Sequence, residues 1–148
     1  MYYTLLLFAH ILLLALFVGS GAALGYLWLQ AKRAEGPAAR SALLETMLAI
    51  SRRITQMAAS GLALAGILMF ITRPALFSGP GLSKAKIVLG FIVVGLSAAL
   101  HSRLRTVAGA EDPDLAGLEN DRRIDRLLGL LAALVPLVVL MGVIGSHS

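Results

Sequence analysis

LLLFAHILLLALFVGSGAALGYLWL, residues 5–29, is the stretch that decides the fold of this chain. It contains no Asp, Glu, Lys or Arg, and it exceeds the ~20 helical residues that cross a hydrocarbon layer about 30 Å thick. A helix of this length in a soluble domain would need charged residues on its outer face. The stretch therefore predicts a transmembrane helix.

Charge is missing from most of the chain. Of the 148 residues, 58 % are hydrophobic and 14 % are charged, against roughly 25 % charged in a typical soluble protein. This composition excludes a soluble enzyme and a nucleic-acid-binding protein, and the absence of cysteine excludes disulfides and iron–sulfur clusters. We predict an all-α fold, a polytopic membrane four-helix bundle formed by residues 1–148 as one domain, with spans at about 5–29, 54–72, 86–102 and 127–144.

The basic residues predict the orientation of these spans. The second loop carries three, Arg73, Lys84 and Lys86, and the termini carry none. The first and third loops with their helix ends carry ten: Lys32, Arg33, Arg40, Arg52, Arg53, Arg103, Arg105, Arg122, Arg123 and Arg126. The positive-inside rule then places both termini outside (N-out, C-out) and the first and third loops in the cytoplasm, for a multi-pass protein surrounded by the lipid bilayer. Before the second span, Ser41-Ala-Leu-Leu-Glu45 predicts a capped helix start, so that span two begins as a cytoplasmic helical extension.

His10 is the first candidate functional residue, because a polar side chain inside a span is costly and is seldom retained without a role. Gly21 lies on the same helical stripe and leaves room for a bulky ligand or for another helix. The Gly21-x-x-x-Gly25 spacing equally fits plain helix packing, and a homo-oligomer stays open.

Further polar residues lie on spans two and three. Arg53, Gln56 and Ser60 follow one another at helical spacing, so Gln56 and Ser60 are expected to face the bundle interior, close to His101. Replacing Gln56 by leucine should then alter ligand binding more than stability. His101 also fits an interfacial histidine that simply ends a span.

His10 and His101 are the candidate metal ligands, since neutral imidazole binds iron, copper and zinc, and two histidines on different helices can hold a haem. Counted from the predicted span starts, their α-carbons differ in depth by roughly 13 Å. One shared site, separate sites and a single ligand histidine all remain open. His10 is expected to matter more, because water at the interface can satisfy His101.

Several segments resemble one group of small bacterial membrane proteins. They are Leu7-Phe-Ala-His10, Gly19-Ser-Gly21 through Ala31-Lys-Arg33, Ser51-Arg-Arg-Ile54, Ser83-Lys-Ala-Lys86 and His101-Ser-Arg103. Their order is similar to that of the four-helix protoporphyrinogen oxidases of haem biosynthesis, the copper-resistance protein D type and their relatives. The resemblance implies a haem b site that uses His10, with or without His101, and Lys86 as the matching lysine.

Three functions are therefore weighed. The first is a haem-binding redox protein with a porphyrin ligand, for which the sequence leaves enzymatic activity undecided. The second is a non-catalytic membrane assembly or scaffold subunit. The third, a small-solute or metal transporter, is disfavoured because no carboxylate lies inside a span. The candidate cofactor-binding residues are His10, His101, Lys86, Arg53, Gln56, Ser60 and Gly21.

Overall fold

The structure, a computed structural model, describes residues 2–72, 74, 82–109 and 117–144, of which 82–84, 86, 117–120 and 141–144 are described by backbone only. These residues fold into helices, with no strand in the ranges given. The elements are α1 (Tyr2–Arg33), α2 (Pro37–Ile50), a π-helical turn (Ser51–Thr55), α3 (Gln56–Thr72), α4 (Leu82–Ala108) and α5 (Gly117–Ile144). Since α2, the π turn and α3 run on as one helix, Pro37–Thr72, the described residues form four long helices.

Each predicted span lies within one of these helices. Three helices are long and apolar enough to cross a membrane: Tyr2–Arg33, Pro37–Thr72 and the Ile87–Ala108 part of α4. The fourth predicted span, about 127–144, coincides with the second half of α5, and its last four side chains lie outside the described residues. The all-α prediction is confirmed, whereas membrane insertion and the N-out orientation stay predictions.

The second long helix begins at Pro37, so the start predicted at Ser41 is wrong. Gly36 precedes the helix with φ of +100°, a conformation that glycine adopts without strain. Pro37 then occupies the first position, where its fixed φ suits a helix and its missing N–H costs nothing. This glycine–proline pair starts the helix without any side-chain cap, and Ser41 lies inside it.

The four helices form a bundle in which neighbours run antiparallel. Helix α1 lies beside the second helix and α5, and α4 lies beside the same two; in the described ranges α1 and α4 are diagonally opposite, with no pair of their α-carbons within 8 Å. We call the end at which α1 finishes, with Arg33, the basic end. The end at which α1 begins, with Tyr2, is called the His10 end.

The buried core has two parts. The part at the basic end contains Leu24, Trp28, Ala31, Leu44, Met47, Leu100, Leu104 and Ile124. The part nearer the middle contains Phe17, Ala58, Ala59 and Val93, and its alanines allow close helix packing. The approach of α3 to α1 is tightest at Gly61, where an added Cβ would lie 2.9 Å from Cδ1 of Leu13. The larger of the two buried clusters thus lies at the basic end of the bundle.

Candidate functional site

His10 lies on the interior face of α1. The buried residues of this helix recur every three or four positions, from Ala31 back through Leu24 and Phe17, and the same spacing continues to Leu13 and His10. The imidazole is half-buried, and its Nδ1 atom is fully buried with no hydrogen-bond partner among the described residues. An unsatisfied buried polar atom costs about 1–3 kcal/mol. His10 is therefore a side chain whose bonding capacity is left open toward the bundle interior.

Hydroxyl and amide groups connect the helices halfway along the bundle. The hydroxyl of Thr55 donates to Oγ of Ser20 at 3.0 Å, and that hydroxyl donates to the backbone carbonyl of Phe17 at 3.0 Å. The side-chain amide of Gln56 donates to both the carbonyl and the hydroxyl oxygen of Ser97, each at 3.0 Å. These bonds connect the second helix to α1 on one side and to α4 on the other.

His101 belongs to the same level of contacts. Its Nδ1 lies 3.1 Å from Oγ of Ser51, and the tautomer of the ring decides which atom donates. The backbone N–H of Gln56 donates to the carbonyl of Ser51, the i→i+5 bond of a π turn. This wider turn buries both Ser51 and Thr55. We call the resulting set the polar layer; it consists of Ser20, Ser51, Thr55, Gln56, Ser97 and His101.

The polar layer also sets the register between α1 and α4. Because the adjacent residues Thr55 and Gln56 bond to Ser20 and Ser97, those two serines lie at one level along the bundle. Both α1 and α4 are antiparallel to the second helix, so they run in the same direction and their levels can be counted from these serines.

The two histidines lie far apart on this scale. His10 is ten residues before Ser20, whereas His101 is four residues after Ser97. At 1.5 Å per residue their levels differ by roughly 20 Å, and their helices are diagonal. The separation exceeds the expected 13 Å because the contacts of the polar layer align Ser20 with Ser97, whereas the expectation aligned the two predicted span starts. The structure does not bring His10 and His101 into one site.

Lys86, in contrast, shares its level with His10. Counting ten residues back from Ser97 on α4 reaches Ile87, so Lys86 lies within one residue's rise, about 1.5 Å, of the level of His10. The helix backbone at Lys86 is described as part of α4. The two residues that the family resemblance pairs therefore stand at the same height on opposite sides of the bundle.

The remaining predicted residues do not gather around His10. Gln56 faces α4 in the polar layer, and Arg53 is exposed. The expectation that Ser60 faces the interior is wrong: Ser60 is exposed, since 100° per residue puts it opposite the buried Ala65 on α3. Gly21 is half-buried, and an added Cβ there would meet no atom within 4 Å.

A cluster at the basic end was not anticipated from the sequence. The indole Nε1 of Trp28 donates to Oδ1 of Asp125 at 2.6 Å, and Lys32 pairs with the same carboxylate at 2.9 Å. Arg40 pairs with Asp121 at 2.7 Å. Hydrogen bonds from Lys32 and then Trp28 lower the pKa of Asp125 below its usual value. The available signal was Trp28 itself, a residue with a polar N–H on the buried face of α1.

The side chains available as ligands limit which metal ion or cofactor the bundle can bind. Across the described ranges, no three His, Asp or Glu side chains lie close enough to hold a metal ion together. A haem needs only one protein ligand, and the open imidazole of His10 fits that requirement, whereas a pair with His101 does not. Comparison of the chain with protein-family models, curated proteins and solved structures finds no match.

Proposed function

We propose that this chain is a multi-pass protein of the bacterial inner membrane that binds haem b through His10 and serves in redox chemistry. The observation that carries the proposal is the half-buried imidazole of His10, whose Nδ1 is buried without a partner in the described part of the chain. Imidazole is a frequent axial ligand of haem iron, and ligation would give this ring the interaction that it lacks.

The surroundings of His10 support a site near the His10 end. Three of the described helices have the length and composition to cross a membrane, and the ten bases of the first and third loops with their helix ends favour the basic end as the cytoplasmic one. The backbone of Lys86 is level with His10, and a lysine at this position is a suitable residue type to pair with a carboxylate of a porphyrin. We therefore place the porphyrin between α1 and α4 toward the outer face of the membrane.

His101 takes a different role in this proposal. Its level lies roughly 20 Å from that of His10, so it cannot be the second ligand of an iron that His10 binds, and its Nδ1 bonds with Ser51 in the polar layer. When bound, haem supplies one-electron redox chemistry. Turnover of a porphyrinogen, which the family resemblance implies, would make the protein a haem-dependent oxidoreductase.

A non-catalytic membrane scaffold is the second candidate function. The polar layer favours it, because the side chains of that layer bond to one another across helix boundaries, as groups that hold transmembrane helices together do. On this hypothesis the bundle needs no cofactor, and the Nδ1 atom of His10 forms its hydrogen bond with a partner protein.

Haem titration distinguishes the two candidates. The full-length protein, purified in a neutral detergent, is titrated with haem b while the Soret region is recorded. The proposed function predicts a Soret band that saturates at one haem per chain and shifts on reduction. A protein that shows no saturable band after haem addition would contradict haem binding and favour the scaffold.

A further inference from the structure

Two adjacent arginines project from the π turn. The buried Ser51 and Thr55 enclose Arg52, Arg53 and Ile54, all three of which are exposed. In an ordinary α-helix, consecutive residues diverge by 100°, so three neighbours seldom share one outward face. The wider π turn accommodates an additional residue on its outer side and so presents both guanidinium groups on the same outward bulge.

Neither guanidinium is neutralised by a carboxylate within the described part of the chain. The ion pairs described there are those of Arg40 with Asp121 and of Lys32 with Asp125, so Asp121 and Asp125 of α5 are already engaged. Arg52 and Arg53 therefore form a concentrated positive charge on the surface of the bundle. Such a pair is suited to the oxygen atoms of a phosphate group.

An apolar surface begins directly beside this charge. Met57, Leu64 and Ile71 follow Arg53 along the outer face of α3, and their exposed fractions are 70 %, 60 % and 66 %. On the other side of the π turn lies α2, whose Leu44 and Met47 belong to the packed basic-end core. The arginine pair therefore stands at the boundary between an exposed apolar helix face and the packed end of the bundle.

We infer that Arg52 and Arg53 form a binding site for an anionic phospholipid. The two guanidinium groups bind the headgroup phosphate, and the acyl chains lie along the apolar face that runs from Met57 to Ile71. The site combines two positive charges with an exposed apolar helix face, as a phospholipid requires. A soluble anion would contact the arginines and leave the apolar face unused. The inference does not depend on haem binding.

Lipid titration of the full-length protein in neutral detergent tests this site. Binding is followed by thermal unfolding with phosphatidylglycerol, with phosphatidylcholine and with soluble glycerol phosphate. The variant Arg52→Gln/Arg53→Gln should bind phosphatidylglycerol roughly 30-fold more weakly than the wild type. The matched control Arg33→Gln/Arg122→Gln removes two exposed arginines outside the π turn, nearer the basic end, and should lose less than about threefold.

Three results would overturn the inference. Equal losses of phosphatidylglycerol affinity in the two double variants would indicate a diffuse charge effect. Binding of phosphatidylcholine as tight as that of phosphatidylglycerol would exclude a role of headgroup charge. Stabilisation by glycerol phosphate as large as that by phosphatidylglycerol would exclude a role of the acyl chains. If the double glutamine variant fails to fold, Arg52→Gln and Arg53→Gln are measured singly, each with an expected loss of about fivefold. A smaller loss than in the single variants Arg33→Gln and Arg122→Gln would contradict the site.

Discussion

The indole nitrogen of Trp28 donates a hydrogen bond of 2.6 Å to Oδ1 of Asp125, which joins the first helix of the bundle to the last. Trp28 is only 2 % exposed, so this carboxylate is the acceptor that its N–H has in the described structure. Lys32, one turn further along α1, pairs with the same group. A single acid thus satisfies a buried donor and closes the basic end of the bundle.

This contact predicts a loss of stability in acid. The pKa of Asp125 is lower in the folded protein than in the unfolded chain because its charged form accepts bonds from Lys32 and Trp28. Its stabilising effect is therefore complete above the unfolded-state value of about 3.9 and disappears as the pH falls through the lower folded-state pKa. Thermal unfolding in detergent should show this acid decline, and Asp125→Asn should reduce it.

Two alanine variants, one at Asp125 and one at an exposed acid elsewhere, test the role of this contact in stability. Asp125→Ala removes the acceptor of the buried Trp28 N–H and should lower the free energy of unfolding by about 1–2 kcal/mol. Glu45→Ala, which alters an exposed acid on α2, should leave stability within about 0.5 kcal/mol of the wild type. Equal effects of the two alanine variants would refute the role given to Asp125.

Gln56 and Ser97 should be energetically coupled. Interhelical hydrogen bonds in membranes average about 0.6 kcal/mol, and Gln56 makes two bonds to Ser97. Because Ser97→Ala removes the hydroxyl acceptor and leaves the backbone carbonyl, a double-mutant cycle with Gln56→Leu and Ser97→Ala should give a coupling energy of about 0.6 kcal/mol. Because the level of Gln56 lies roughly 15 Å from that of His10, haem absorption should be unchanged, contrary to the expectation from sequence. Additive variants, or loss of the haem band in Gln56→Leu, would contradict this placement.

The sequence was most informative where a local property decides the structure. Charge-free stretches are a local property, and each of them lies in a helix of the bundle. Ser60 was misplaced because it lies one turn after Gln56 and was assigned the same interior face, whereas the buried face of α3 is the one that carries Ala65. The π turn between Ser51 and Thr55 changes the phase of the helix, and no residue pattern in the sequence marked it.

Contacts between distant helices were harder to foresee. The bonds of Ser20 with Thr55 and of Ser51 with His101 depend on the axial position of one helix relative to another. The residues of a single helix do not determine that register. The depth of His101 was misjudged for the same reason. Hydroxyl residues within charge-free helices were the available signal, because such groups need partners away from water.

The close approach of α1 and α3 predicts a difference between two glycines. Gly95→Ala on α4 meets no atom within 4 Å and should gain up to about 1 kcal/mol of helix propensity. Gly61→Ala would place its Cβ 2.9 Å from Cδ1 of Leu13, so Leu13 must shift and most of that gain should be lost. Unfolding of both variants in detergent measures the difference, and equal stabilisation would argue against the tight packing.

The predicted orientation can be measured separately. A fluorescent reporter that is active only in the cytoplasm should remain dark when fused after Ser148 and become fluorescent when fused within the first loop, after Gly36. Fluorescence from the fusion at Ser148 would invert the topology and place His10 at the cytoplasmic face.

The central claim is that His10, and not His101, binds haem iron. The most direct measurement is the haem content and Soret spectrum of His10→Ala and His101→Ala, each purified in detergent and titrated with haem b beside the wild type. We expect His10→Ala to lose saturable haem, because it removes the open interior imidazole. His101→Ala should retain one haem per chain, since the His101 ring bonds with Ser51 at a level roughly 20 Å from that of His10. Full haem binding by His10→Ala, or its loss in His101→Ala alone, would contradict the account.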